Sequence, residues 1–107
     1  MMKIAKKHSL VNALQALLKG SVLEQVDRVD WQSATFSGER VTMKLMLCAN
    51  TPEQSAQCMQ SVQSFTQILP NHEFTLPRWI VADIAISSTE IVPSGIRLII
   101  EALLIEE

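Results

Sequence analysis

Residues Gly95–Glu107 read GIRLIIEALLIEE. A strand that covers a core on one side alternates apolar and polar side chains. Here Ile96, Leu98, Ile100, Ala102 and Leu104 share one face, while Ile99, Leu103 and Ile105 share the other. Both faces of this strand call for cover. Either a partner chain covers the second face, or the strand is central and the N-terminal segment of the same chain folds across it.

Working backwards, RWIVADIAISSTEI (78–91) reads as another strand, with Ile80, Ala82, Ile84 and Ile86 on one side, and Pro93 to Gly95 turns it into the last. VDWQSATFSGERVTMKLMLC (29–48) reads as a hairpin in which Gly38 supplies the turn. Its second arm sets Val41, Met43, Leu45 and Leu47 against Thr42, Lys44, Met46 and Cys48. Two helices separate these hairpins. In SLVNALQALLKG (9–20), Ser9 suits the N-cap, Leu10, Leu14, Leu17 and Leu18 form a stripe, and Gly20 stands where a C-terminal cap wants positive φ. In NTPEQSAQCMQSVQSFTQILP (50–70), Thr51, Pro52 and Gln54 make a capping-box start. Met59, Val62, Phe65 or Thr66, and Leu69 form its buried stripe, Pro70 ends it, and its outer face carries uncharged Gln57, Gln60, Ser61, Ser64 and Gln67.

Two helices with one apolar stripe each need a common sheet to lie on. The order αββαββ predicts a single α+β domain over residues 1–107: a two-layer sandwich, ferredoxin-like with circularly shifted strands, having a four-stranded antiparallel sheet and both helices on one face. Its open face is expected to hold Trp79, Val81, Ala85, Ile99, Leu103 and Ile105, with Met46 as a further candidate. Burying six such side chains is worth on the order of 10 kcal/mol before association costs, enough for a homodimer or larger homo-oligomer.

Composition narrows the function. Hydrophobic residues make up 48% and charged residues 19% of the 107, so the chain is globular with an under-charged surface. The net charge of −2 gives no general basic field for nucleic acid, although Lys3, Lys6 and Lys7 gather near the start. An RNA-binding sheet displays stacked aromatic rings, whereas this face has Trp79 alone, so protein is the expected partner. No secretory signal or bilayer-length apolar run is present, so this chain does not insert into a membrane. Taken as complete it is expected in the cytoplasm; taken as an excised domain it fits the periplasmic face of an inner membrane.

Three glycines are too few for a phosphate-cradling loop, and no GxGxxG or GxxxxGK[ST] occurs. His8 and His72 are too far apart in sequence to suggest a metal site. Cys48 and Cys58 read as reduced core thiols. Cys48 with His72 lacks an orienting acid, and Asp27 with Asp30 reads as turn-stabilising. The expectation is therefore no catalytic, metal or cofactor site.

QSFTQILPNHEFTLPRWIVADIAI, followed by IRLIIEALLIEE, resembles the C-terminal ferredoxin-like domain of the PilO and GspM inner-membrane assembly proteins of type IV pili and type II secretion. The family's "LPR"-like element is matched by Leu76, Pro77 and Arg78, and KLMLCANTPEQSAQCMQ is similar in layout to the strand and helix before it. The resemblance implies a non-enzymatic scaffold that dimerises through such domains. The membrane helix and coiled-coil stalk of that family have no counterpart here. The same run of helices and hairpins is similar to phage tail-terminator proteins, which assemble into rings. A small ligand-binding protein or enzyme is the third reading.

Overall fold

A computed structural model describes residues 9–107; expectations that rest on residues 1–8, including His8 and the three lysines, lie outside the described residues. The elements run α1 (Ser9–Leu17), β1 (Val22–Gln32), β2 (Ser37–Cys48), α2 (Pro52–Ile68), a 3-10 turn (Leu69–Asn71), β3 (Trp79–Val92) and β4 (Gly95–Glu106). The strands form one antiparallel sheet in the order β1-β2-β4-β3. β4 is thus inserted between β2 and β3, and α2 is the crossover that carries the chain past it. The result is a compact α+β fold of four antiparallel strands and two helices.

The alternation read from the central strands is the one the core uses. Val41, Met43 and Ile100 are fully buried, as are Leu45, Leu98 and Leu104 to within 1% exposure. Leu10, Val11, Leu14 and Leu18 of the first helical segment, and Val62, Phe65 and Leu69 of the second, close the other side of the same cluster. Each such side chain contributes roughly 1.5–3 kcal/mol by leaving water. Of the expected stripes, Leu17 and Met59 are only partly buried, packing at the margin of this core.

Local signals decide the helix ends. Thr51 caps α2, its hydroxyl accepting the Gln54 amide hydrogen bond at 3.1 Å, and Pro52 occupies the first turn. Gln54 returns the bond through Oε1 to the backbone N–H of Asn50 at 2.7 Å, one residue earlier than a capping box ordinarily reaches. Gly20 has φ 86°, the left-handed conformation expected after α1. Ser9, expected to cap α1, is itself helical.

Gly38 does not make the hairpin turn. The turn lies at residues 33–36, where the Ser33 amide donates to the Phe36 carbonyl at 2.9 Å and the Ser33 hydroxyl accepts from Phe36 N–H at 3.1 Å. Gly38 stands inside β2 opposite Ile105, and a Cβ there would be driven into the Leu104 carbonyl oxygen. The glycine is required by the closeness of two backbones, not by a turn.

β3 departs from simple alternation. Its register with β4 breaks between Val81 and Asp83, where Ala82 is extra, and again between Ile86 and Ser88. Directly opposed residues share a face, so the first bulge reverses the assignment of residues before it. Ile80 pairs with Ile105 on the open face and is 50% exposed, whereas Ile84 and Ile86 pair with Ala102 and Ile100 on the helix side as expected. Trp79 and Val81, expected on the open face, pack instead against the core. The segment before β3 is a tight turn: Trp79 N–H donates to the Leu76 carbonyl at 3.4 Å, Pro77 follows Leu76, and Arg78 has φ 71°. This is the geometry of a type II turn, whose third position favours glycine.

Three substitutions test this account. Leu98→Ala should cost about 2–5 kcal/mol by opening a cavity, and Thr51→Ala about 1 kcal/mol by removing the cap. Arg78→Gly should gain about 1 kcal/mol by relieving the left-handed backbone. Urea denaturation curves at matched m-values give all three; a Leu98→Ala effect no larger than that of Thr51→Ala would mean the faces of β4 are reversed.

Candidate interaction surface

The register of the four strands lays out the open face row by row. At the end nearest the 33–36 turn, Trp31, Gly38, Ile105 and Ile80 run across β1, β2, β4 and β3. The next row is Val29, Arg40, Leu103 and Asp83, followed by Asp27, Thr42, Glu101 and Ala85. Val29 is 62% exposed, and Leu103, Ile105 and Trp31 are half-buried by their neighbours. Apolar side chains of β1, β4 and β3 therefore cluster at one end of the sheet around Gly38, with Arg40 and Asp83 as charged neighbours in the second row. Of the residues expected on this face, Ala85, Ile99, Leu103, Ile105 and the further candidate Met46 lie there; Ile80, expected on the helix side, joins them, as do Val29 and Trp31, which the sequence reading did not single out.

The far end of the same face sets an ion-pair cluster beside Val22 and Met46. Arg97 donates through Nε to Glu24 at 2.7 Å and through Nη1 to Glu90 at 3.4 Å, tying β4 to both outer strands. Glu24 reaches this face because the β1 register breaks between Leu23 and Gln25, leaving Glu24 as the extra residue. The Arg97 guanidinium, through this hydrogen bond, holds the Glu24 carboxyl below its ordinary range, and Glu24 in turn raises Arg97. On the opposite side of the sheet Arg28 grips Glu39 with two bonds, at 2.8 and 3.1 Å, and its own affinity for the proton rises for the same reason.

The chemical candidates are dispersed. Cys48 ends β2 and His72 follows the 3-10 turn, so the 17-residue α2, about 25 Å long, lies between them. Asp27 and Asp30 sit in β1, not in a turn, and face opposite sides of the sheet, opposite Thr42 and Glu39. Cys48, expected in the core, is exposed, whereas Cys58 is half-buried and packs at the margin of the core. The Cys58 thiol donates to the Cys48 carbonyl oxygen at 3.8 Å, while the Cys48 side chain shares the open face with Met46. A cleft of about 720 Å³ lies between residues 69–76 and the start of β3, edged by Glu73, Asp83 and Glu107. In it His72 packs edge-on against Phe74, with ring centroids 4.6 Å apart. Among the described residues no three of His, Cys, Asp and Glu converge as metal ligands would, and no helix is long and apolar enough to cross a membrane.

Comparison with protein families, curated proteins and solved structures returns no match for this chain.

The ion pair at the far end gives a pH prediction. A depressed carboxyl pKa contributes stability that is present above the unfolded-state value and lost as pH falls through the folded-state value. The Glu24 carboxyl should therefore titrate below an ordinary glutamate by NMR, and return toward it in Arg97→Met. The stability gap between the two proteins should close in acid; an unmoved Glu24 midpoint in Arg97→Met would show that the pair is not formed in solution.

Proposed function

We propose that this protein is a non-enzymatic, self-associating assembly module, and that the apolar end of its open sheet face is where a second copy binds. The carrying observation is the cluster of Trp31, Val29, Ile80, Leu103 and Ile105 on β1, β3 and β4 around Gly38, with Arg40 and Asp83 in its second row and the Arg97 ion pairs at the far end of the face. Apolar centre with polar surround is the anatomy of a protein interface.

The strand order supports a circularly shifted ferredoxin-like framework. In such a fold a strand, a crossover helix and a parallel strand leave a gap that a third, antiparallel strand fills; β2, α2, β3 and β4 have this arrangement. The likeness to pilus and secretion assembly proteins is supported by the order of α2, the Leu76–Pro77–Arg78 turn and the β3–β4 hairpin. On that likeness the chain works at the periplasmic face of an inner membrane.

Replacing Leu103 and Ile105 together with Lys puts charge into the patch while leaving the helix-side core intact. Sedimentation equilibrium at micromolar concentration should show an oligomer for the natural sequence and a species of lower mass for the double variant, with far-ultraviolet circular dichroism unchanged. A natural chain that runs cleanly at 11.9 kDa would overturn self-association; a folded variant of unchanged mass would overturn the patch as the contact.

A further inference from the structure

We propose that the outer edge of β1 is a self-pairing edge, to which β1 of a second copy adds antiparallel about a twofold axis through Val29, joining two four-stranded sheets into one of eight. This rests on the self-association proposed above, but not on the open-face patch as its only contact.

The two edges of the sheet are not equivalent. β3 loses register twice within its 14 residues, and bulges of this kind twist an edge away from pairing. β1 pairs with β2 without a break from Gln25 to Gln32, so its outer backbone groups form a regular ladder that another strand can extend.

Symmetry and charge then select one register. Directly opposed residues in an antiparallel pair share a face, and a twofold axis normal to the sheet preserves faces, so the axis must pass through a residue. Placed at Asp27, Arg28 or Asp30, it opposes identical charges. Placed at Gln25 or Val26, it runs into the bulge at Glu24; placed at Trp31, it leaves almost nothing to pair. At Val29 it gives seven residues, 26–32, in register, and sets Arg28 opposite the partner's Asp30 on both sides of the axis.

That pairing also answers an imbalance within the single chain. Asp30 lies directly opposite Glu39 in β2, and like charges so placed repel. Arg28 bonds Glu39 and attracts Asp30 only through space, so Asp30 makes no direct ion pair among the described residues. A guanidinium carries five donors, and the Arg28 side chain is 51% exposed, so each copy has donors left for the other's Asp30. Val29, 62% exposed on the open face, meets its own counterpart on the axis and brings the two apolar patches side by side.

Val29→Lys sets two ammonium groups against each other on the axis. It should lower the sedimentation mass of the natural oligomer toward 11.9 kDa with circular dichroism unchanged. In a Cys48→Ser, Cys58→Ala background, V29C should cross-link close to completely in air, because the axial Cα separation of about 4.5–5.5 Å falls within disulfide range. D27C, displaced from the axis and facing the partner's Trp31, should cross-link at least tenfold more slowly. An unchanged mass for Val29→Lys, or equal cross-linking of V29C and D27C, overturns the edge. If Val29→Lys leaves the mass unchanged while Leu103 and Ile105 to Lys lowers it, self-association through the face stands and the edge alone falls. If the natural chain is monomeric, both fall.

Discussion

The pairing of β2 with β4 is the constraint on which the rest of the structure hangs. Its eleven residue pairs run from Gly38 with Ile105 to Cys48 with Gly95 without a break. Because opposed residues share a face, this single register places Met43, Leu45, Leu98 and Ile100 together and makes one continuous floor for the helices. A slip by one residue would turn that whole set toward water. Glycine stands at both ends of the ladder, Gly38 in one strand and Gly95 in the other, and at each a Cβ would collide with the carbonyl of the opposite strand. The irregularities of the sheet are accordingly pushed outward: all three register breaks involve β1 or β3, and none touches the central pair.

Charge follows the same division. Across α1 and α2 the only charged side chain is Glu53; the helical layer meets water through Gln, Ser, Thr and Asn. The arginine–carboxylate pairs are carried by the strands, with Arg97 linking three of them on the open face and Arg28 joining β1 to β2 on the other. On a partly solvated surface such pairs are individually weak. On the open face they gather Arg97, Glu24 and Glu90 at the end away from the apolar cluster, where Arg40 and Asp83 remain as charged neighbours.

What could be read from sequence tracks how local the deciding physics is. The α2 cap was legible because Thr51, Pro52 and Gln54 lie within one turn, and the core faces of β2 and β4 because strict alternation held along each. Ile80, Trp79 and Val81 were misassigned because a bulge at Ala82 shifts alternation by one residue without a proline or glycine to announce it. Gly38 was mistaken for a turn because its true reason, the approach of β4, comes from the far end of the chain. Trp31 and Val29 went unnoticed for a related cause: with the turn placed at Gly38, the first arm of the hairpin had no register, hence no face. The open-face patch was therefore half visible, on β4, and invisible on both outer strands.

The patch and the β1 edge meet at Val29 and Trp31, and this junction constrains any assembly built from the chain. Gly38, the residue between Trp31 and Ile105 in the end row, has no side chain, so the patch carries a notch at β2 flanked by apolar groups. Filling such a notch requires a projecting side chain from the other surface, and half-exposed Ile80 in the same row is one the molecule itself supplies. A face contact uses side chains of β1, β3 and β4, whereas an edge contact uses the outer backbone groups of β1, so the two contacts adjoin at Val29 and Trp31. Two distinct twofold contacts on one chain generate either a closed dihedral assembly or an open array, depending on the angle between their axes. In either geometry the helical layer, bearing only Glu53, remains outside both contacts and is left to face solvent or a further partner.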